Sequence, residues 1–262
     1  MNQWSRRRKR IILSIVVFIL VFLIGAPIFF LLYRSPTCFD GKQNGGETGI
    51  DCGGSCQLLC TALSLPLILK GDPQVLRVQD NTFEIVAIIE NPNISGEIYR
   101  AGYTFKLYDA TSAIPLRAVE GEIYVPKGAT FAIFEGPLIL EEGVVPTRAT
   151  LEWKEENIVW QTSVASTPAL VVKTANLSRE DNNPRLDAEV ENTSLENVSN
   201  IDLVAIIYDE TGSIFAASKT FIDKLSAGEK SPVVFTWPEP FAKQALDVEI
   251  IIRVLPDRSF IR

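Results

Sequence analysis

The sequence predicts an all-β protein: a tandem pair of antiparallel sandwiches or barrels behind one N-terminal transmembrane helix and a small cysteine-rich segment. Three observations predict it. Residues 11–33, IILSIVVFILVFLIGAPIFFLLY, form an apolar run without a charge. From residue 62 onward apolar and polar residues alternate at a period of two, with no long stripe at helical spacing. And FKLYDATSAI, residues 105–114, lies against AIIYDETGSI, residues 205–214, at an offset of 100.

The apolar run comes first. At about 1.5 Å per residue it reaches roughly 34 Å as a helix, enough for a hydrocarbon core of about 30 Å. Residues 5–10, SRRRKR, precede it and a single Arg34 follows. Basic residues stay on the cytoplasmic side, so the chain is expected to sit in the plasma membrane as a single-pass signal-anchor. Residues 1–10 then form a cytoplasmic tail, and everything after the span lies outside the cytoplasm. The run is longer than the core of a cleaved signal peptide, and no small-x-small cleavage site follows it.

Charge and composition narrow the function. Residues 1–34 hold six basic residues and no acid, so the net charge of −7 leaves −13 on the remainder. A domain that acidic repels nucleic acid, and nucleic-acid binding is set aside. No histidine occurs anywhere. The commonest general base, nucleophile activator and metal ligand is therefore absent, which argues against an enzyme.

All four cysteines fall within residues 34–61, an expected extracytoplasmic stalk: Cys38, Cys52, Cys56 and Cys60. In an oxidising compartment an even count reads as two disulfides, with three connectivities open. A segment this small and rich in glycine cannot bury a core, so cross-links supply its order. Between the cysteines, Asp40, Asn44, Glu47 and Asp51 are hard oxygen donors of the kind that hold Ca²⁺, the one cofactor the sequence suggests. The same residue types close Asx and Asn-Gly turns, and both readings stand. A Cys₄ zinc site would require two paired knuckles, whereas here three cysteines cluster and one lies apart. The string C-x-D-G-x-Q-N-G-x-E-T-G-x-D-C-G-G-x-C-x-x-x-C resembles a short cysteine motif of secreted and surface-anchored bacterial proteins. Copies of that motif end C-x-x-C, and Gln57-Leu58-Leu59 departs from it.

The repeats follow. Phe83, Ile85, Ala87 and Ile89 fall on one face of a strand; Leu186, Ala188 and Val190 alternate with Asp187, Glu189 and Glu191. Asn91-Pro92-Asn93, Pro126-Lys127-Gly128, Asn182-Asn183-Pro184 and Ala227-Gly228 supply turns. Ile89-Glu90-Asn91 matches Val190-Glu191-Asn192, and Phe134-Glu135-Gly136-Pro137 matches Phe235-Thr236-Trp237-Pro238, in the same order and at nearly the same offset. The predicted units are residues 62–165 and 166–262, a duplication. Asn91, Tyr108 and Asp109 in the first and Asn192, Tyr208 and Asp209 in the second form its signature. The aspartates are placed to close turns after a strand, and the tyrosines to pack a ring and hydrogen-bond at the hydroxyl.

Asn91-Pro92-Asn93, Phe105-Lys106-Leu107-Tyr108-Asp109 and the Pro126/Gly128 loop make the units resemble the FxLYD family and the LEA14-like water-stress and hypersensitive-response domain. The second unit keeps Tyr208-Asp209 but has Ala205-Ile206-Ile207 before it. This resemblance implies two tandem immunoglobulin-like β-sandwiches of about seven strands each, behind one N-terminal transmembrane helix and a small disulfide-rich segment. It brings no active site. The residues add none: there is no phosphate loop, no G-x-S-x-G and no metal-spaced cluster in the repeats. The expected function is a membrane-anchored structural or binding protein that presents two sandwiches to another envelope protein or surface component. The rival is an assembly or stress factor that holds polypeptides by β-strand addition; an enzyme with an unrecognised site is the third reading.

Overall fold

A computed structural model describes residues 3–33, 35–163 and 167–256. The expected join near Ser166 and Arg34, the single basic residue directly after the apolar run, fall outside them. The chain forms two compact units, residues 1–55 and 56–262.

In the first unit a single helix, α1, spans Gln3–Leu32. It begins earlier than the apolar run, so the basic tail continues the helix instead of preceding it. Its stretch Arg7–Phe29 reaches a mean hydropathy of 3.1 with nothing buried against protein. Large side chains such as Phe18, Phe22 and Leu13 stand open all around it. A helix apolar on every face needs an apolar solvent, and this one is long enough to cross a membrane. Tight turns follow in the glycine-rich segment. There an added Cβ at Gly54, which sits at φ +61°, would lie 2.0 Å from the Gly46 carbonyl oxygen.

The second unit is all antiparallel β. Its strands are β1 (Ile68–Leu69), β2 (Gln74–Gln79), β3 (Thr82–Glu90), β4 (Gly96–Tyr108), β5 (Arg117–Val125), β6 (Thr130–Ile139), β7 (Arg148–Trp153) and β8 (Gln161–Thr162), then β9 (Leu170–Ser178), β10 (Arg185–Asn192), β11 (Val198–Tyr208), β12 (Ile214–Leu225), β13 (Lys230–Thr236) and β14 (Asp247–Val254). β3 lies between β2 and β6, and β4 between β5 and β7. In the same sense β10 lies between β9 and β13, and β11 between β12 and β14. The two sets of strands repeat one topology in one order, with the two-residue strands β1 and β8 added to the first. The resemblance implied about seven strands per unit; eight and six form.

Each set closes on its own core. In the first, Ile85, Ile89, Phe131 and Ile133 meet Ile98, Phe105, Leu107 and Val125 across the two sheets. In the second, Leu186, Val190 and Phe235 meet Ile201, Leu203, Ala205 and Ile207. Fully burying such side chains contributes about 1.5–3 kcal/mol each.

A third apolar cluster has no counterpart in the alternating pattern. Leu76, Val86 and Ala132, on the outer face of β2-β3-β6, pack with Val204, Ile206, Ala217 and Ile251, on the outer face of β12-β11-β14. Ile88, Phe134, Tyr208 and Ile214 join them. β12 runs over β2 and β14 beside β6. The one-faced reading of Phe83, Ile85, Ala87 and Ile89 is therefore corrected: the run Ile85–Ile89 of β3 is covered on both faces, as is Ile201–Ile207 of β11, there without a break. The sandwiches stack as four sheets with an apolar seam in the middle. The two outermost faces are polar: Lys106–Glu152 and Lys154–Glu120 pair on one, Lys173–Glu191 and Lys230–Glu189 on the other.

Candidate functional site

Sequence reasoning singled out two groups of residues, the cysteine segment with its acidic side chains and the repeat signature. All four cysteines, Cys38, Cys52, Cys56 and Cys60, are disulfide-bonded. The acidic residues between them face backbone amides. Asp51 accepts from the amides of Asp40 and Gly41 at 2.9–3.0 Å, and Glu47 Oε2 from those of Asn44 and Asp51 at 3.3 and 3.2 Å. Asp40 accepts from the Lys42 amide and from Asn44 Nδ2, both at 3.0 Å, and these donors hold its carboxyl below the usual range, Asn44 most strongly. Among the described residues of this segment, Asn44 Oδ1 is the one buried side-chain oxygen without a donor. One orphaned oxygen is a single ligand, where Ca²⁺ takes six to eight. The oxygens aimed at N–H groups here close turns.

The tail of the cysteine segment is knitted into the first sandwich. Leu59 donates its amide to the Trp160 carbonyl at 3.0 Å, and Thr162 donates to that of Gln57 at 2.7 Å. Leu59 packs on the first core. The stalk expected over 34–61 thus passes into the sandwich at about residue 57.

The repeat signature ties loops together, twice in the same way. Asn91 is buried; its Nδ2 donates to the carbonyls of Gly96 and Pro126 at 2.8 Å, and its Oδ1 accepts from the Asn93 amide at 3.0 Å. Asn192, fully buried, donates to Glu196 at 2.7 Å and to Leu225 and Ser226 at 3.1 Å, while its Oδ1 accepts from the Ser194 amide. Each asparagine thereby joins the loop that follows its own strand to the loop two strands on. Asp109 accepts from the amides of Ser112 and Thr111, Asp209 from those of Thr211 and Ser213. Lys243 adds an ion pair to Asp209 at 2.5 Å and, with Thr211, holds that carboxyl well below the usual range. The tyrosines differ. Tyr208 donates to Glu249 at 2.6 Å, whereas the Tyr108 ring carries the Arg148 guanidinium 4.2 Å above its centre. Of the six, Tyr208 and Asp209 line one open cavity of about 600 Å³, together with Glu210, Asp247 and Glu249.

The features that do come together lie along the seam, and sequence reasoning missed them. On one side it opens as a cavity of about 550 Å³ lined by Glu97, Tyr99 and Tyr124 of the first sandwich and Arg253 of the second. Arg253 Nη2 donates to Asp202 Oδ2 at 2.7 Å, and Lys219 pairs with the same oxygen at 3.0 Å. Nε and Nη1 of Arg253 are buried without an acceptor. Facing it, Tyr124 donates to Glu97 at 2.6 Å and Tyr103 to Glu135. Burial, then the carboxylate each tyrosine serves, raises both phenols above their ordinary value, and Arg253 opposes that rise. Asp202, Lys219 and Arg253 stand up to 51 residues apart, so no local motif marks them. Their meeting is a product of the sheet register that sets Asp202 opposite Arg253.

No family model and no curated protein matches the chain. Among solved structures, a β-glucuronidase of Bacteroides uniformis matches 68% of the chain at 15% identity with a TM-score of 0.19. The β-glucuronidase 2 of the same organism, covalently bound to cyclophellitol-6-carboxylate aziridine, matches with the same values. The chain spans about a quarter of the length of these structures (26%), and a likeness at that TM-score carries no argument about this protein's activity.

Proposed function

We propose that the protein is a single-pass presentation module of a bacterial envelope. In this reading α1 anchors it with the N-terminus in the cytoplasm, and the disulfide-bonded segment and the two immunoglobulin-like sandwiches stand outside. There they offer a fixed surface to another envelope component. The observation that carries the reading is the apolar seam. Two sandwiches joined by a flexible tether would present faces at variable angles, whereas a buried joint holds their loops and end faces in one arrangement. Disulfides at all four cysteines suit an oxidising compartment, and the basic residues before the helix favour an N-in anchor.

Edge chemistry favours presentation over strand addition. Among the described residues, every edge strand longer than two residues carries a charge or a proline: Arg77 on β2, Pro137 on β6, Arg117 on β5, Arg148 on β7, Lys173 on β9, Pro232 on β13, Lys219 on β12 and Asp247 on β14. Such residues blunt the pairing of a further strand. Protease added to intact cells should remove everything beyond residue 33 and leave the short basic tail protected. Full protection of the sandwiches in intact cells, with digestion after lysis, would contradict the topology.

A further inference from the structure

On its other side the seam opens as a groove of about 520 Å³ between β2 and β3 of the first sandwich and β12 with residues 237–243 of the second. Its wall is aromatic. Phe241 meets Phe215 edge to face at 5.2 Å between centroids, and Trp237 likewise at 5.2 Å. The Trp237 indole N–H is already donated to the Ala217 carbonyl at 2.8 Å, so the wall offers ring surface.

Glu84 of β3 lines this groove half-buried. Its stem lies across β6 at Gly136, where an added Cβ would come 2.6 Å from Glu84 Cγ. Among the described residues its carboxylate accepts no hydrogen bond and has no ion partner; burial alone acts on it and pushes it up to about 7. Among the described residues, none of the charged groups around it pairs with it. On β2, Arg77 gives its Nε to the Asp80 carbonyl at 2.9 Å. On the segment after β13, Lys243 is paired with Asp209, and Glu239 adds a second carboxylate to the lining. On β6, Glu135 serves Tyr103, and the β12 residues of the groove, Ile214–Ala217, bring no titratable group.

An unpaired carboxylate half-sunk in a groove that aromatic rings also line lowers the stability of the fold and makes no compensating contact among the described residues. Groups in that condition mark binding sites. We propose that the groove receives one basic side chain, lysine or arginine, of a partner polypeptide, with Glu84 as its counter-charge and Phe215 and Phe241 flanking the stem and cation. Binding would return Glu84 to its ionised form, so affinity strengthens as pH rises through about 7. The inference names the partner chemistry of the reading above and rests on it. The test below does not depend on which side of the membrane the sandwiches occupy, so the two can fail separately.

The test is a titration of the full chain in lipid nanodiscs, followed by NMR at the Trp237 indole N–H, whose signal is assigned by its loss in Trp237→Phe. The probe is lysine blocked at both backbone ends; blocked norleucine, which keeps the stem and lacks the ammonium, is the control. Near pH 8 the lysine probe should shift the signal saturably, and near pH 5.5 its affinity should fall about tenfold or more. Norleucine should leave the signal in place. Glu84→Gln should weaken lysine binding about tenfold near pH 8 and abolish its pH dependence, with the other indole signals unmoved. No shift with lysine, an equal shift with norleucine, or the same affinity at both pH values would overturn the proposal.

Discussion

At the scale of single residues, Glu84 is the group whose environment departs furthest from its place in the sequence. In TFEIVAIIE it occupies what reads as a solvent-facing slot, since the face it shares with Val86 and Ile88 is opposite the core. That face is covered by the second sandwich, a fact no local pattern contains. The consequence for stability has a definite sign. With an ordinary value of 4.5 and a folded value of about 7, Glu84 holds a proton in the folded protein that the unfolded chain has already lost between those pH values. Stability from this group is therefore full below about pH 4.5, falls as pH rises to about 7, and is flat above. Glu84→Gln should raise stability near pH 8 by on the order of 1 kcal/mol, the full shift being discounted for solvent access. Thermal melts of the two proteins should converge near pH 4; a variant less stable than the parent near pH 8 would contradict the assignment.

At the scale of elements, the alternating strands were legible and the ties between them were not. β10 reads cleanly because one face meets the core and the other meets water, so Leu186, Ala188 and Val190 separate from Asp187, Glu189 and Glu191. β11 contains IDLVAII, a nearly continuous apolar run of the kind that marks a strand buried on both faces, and that signal was available. The repeat showed Asn91 and Asn192 as matching positions. What they do depends on loops 33–35 residues downstream, which the chain brings back only through the β-sheet topology. Asn192→Ala removes the two amide N–H groups shared among three carbonyls and strands those that are buried, and should cost about 3 kcal/mol in chemical denaturation. A loss under about 0.5 kcal/mol would show that the clasp is dispensable. In the cysteine segment, residue types announced turns and disulfides together with a Ca²⁺ reading. The direction of the backbone amides, which these carboxylates accept from, was not readable from composition.

At the scale of the whole molecule, the central claim is that the duplicated sandwiches work as one body. The joint is heterologous: the outer face of β2-β3-β6 meets the outer face of β12-β11-β14, which belongs to the other sheet of the repeat. Such joints propagate into open chains unless the remaining faces refuse further copies. On the end faces Lys106, the counterpart of Ile206, pairs with Glu152, and Asp187, the counterpart of Val86, pairs with Arg185. The most direct test is differential scanning calorimetry of the full chain in nanodiscs, parent against Ile206→Asp and Val86→Asp. Each substitution sets a charge in the seam from one side. The account predicts one cooperative transition for the parent and two separated transitions for each variant. Two transitions in the parent, or a single unshifted transition in both variants, would contradict it.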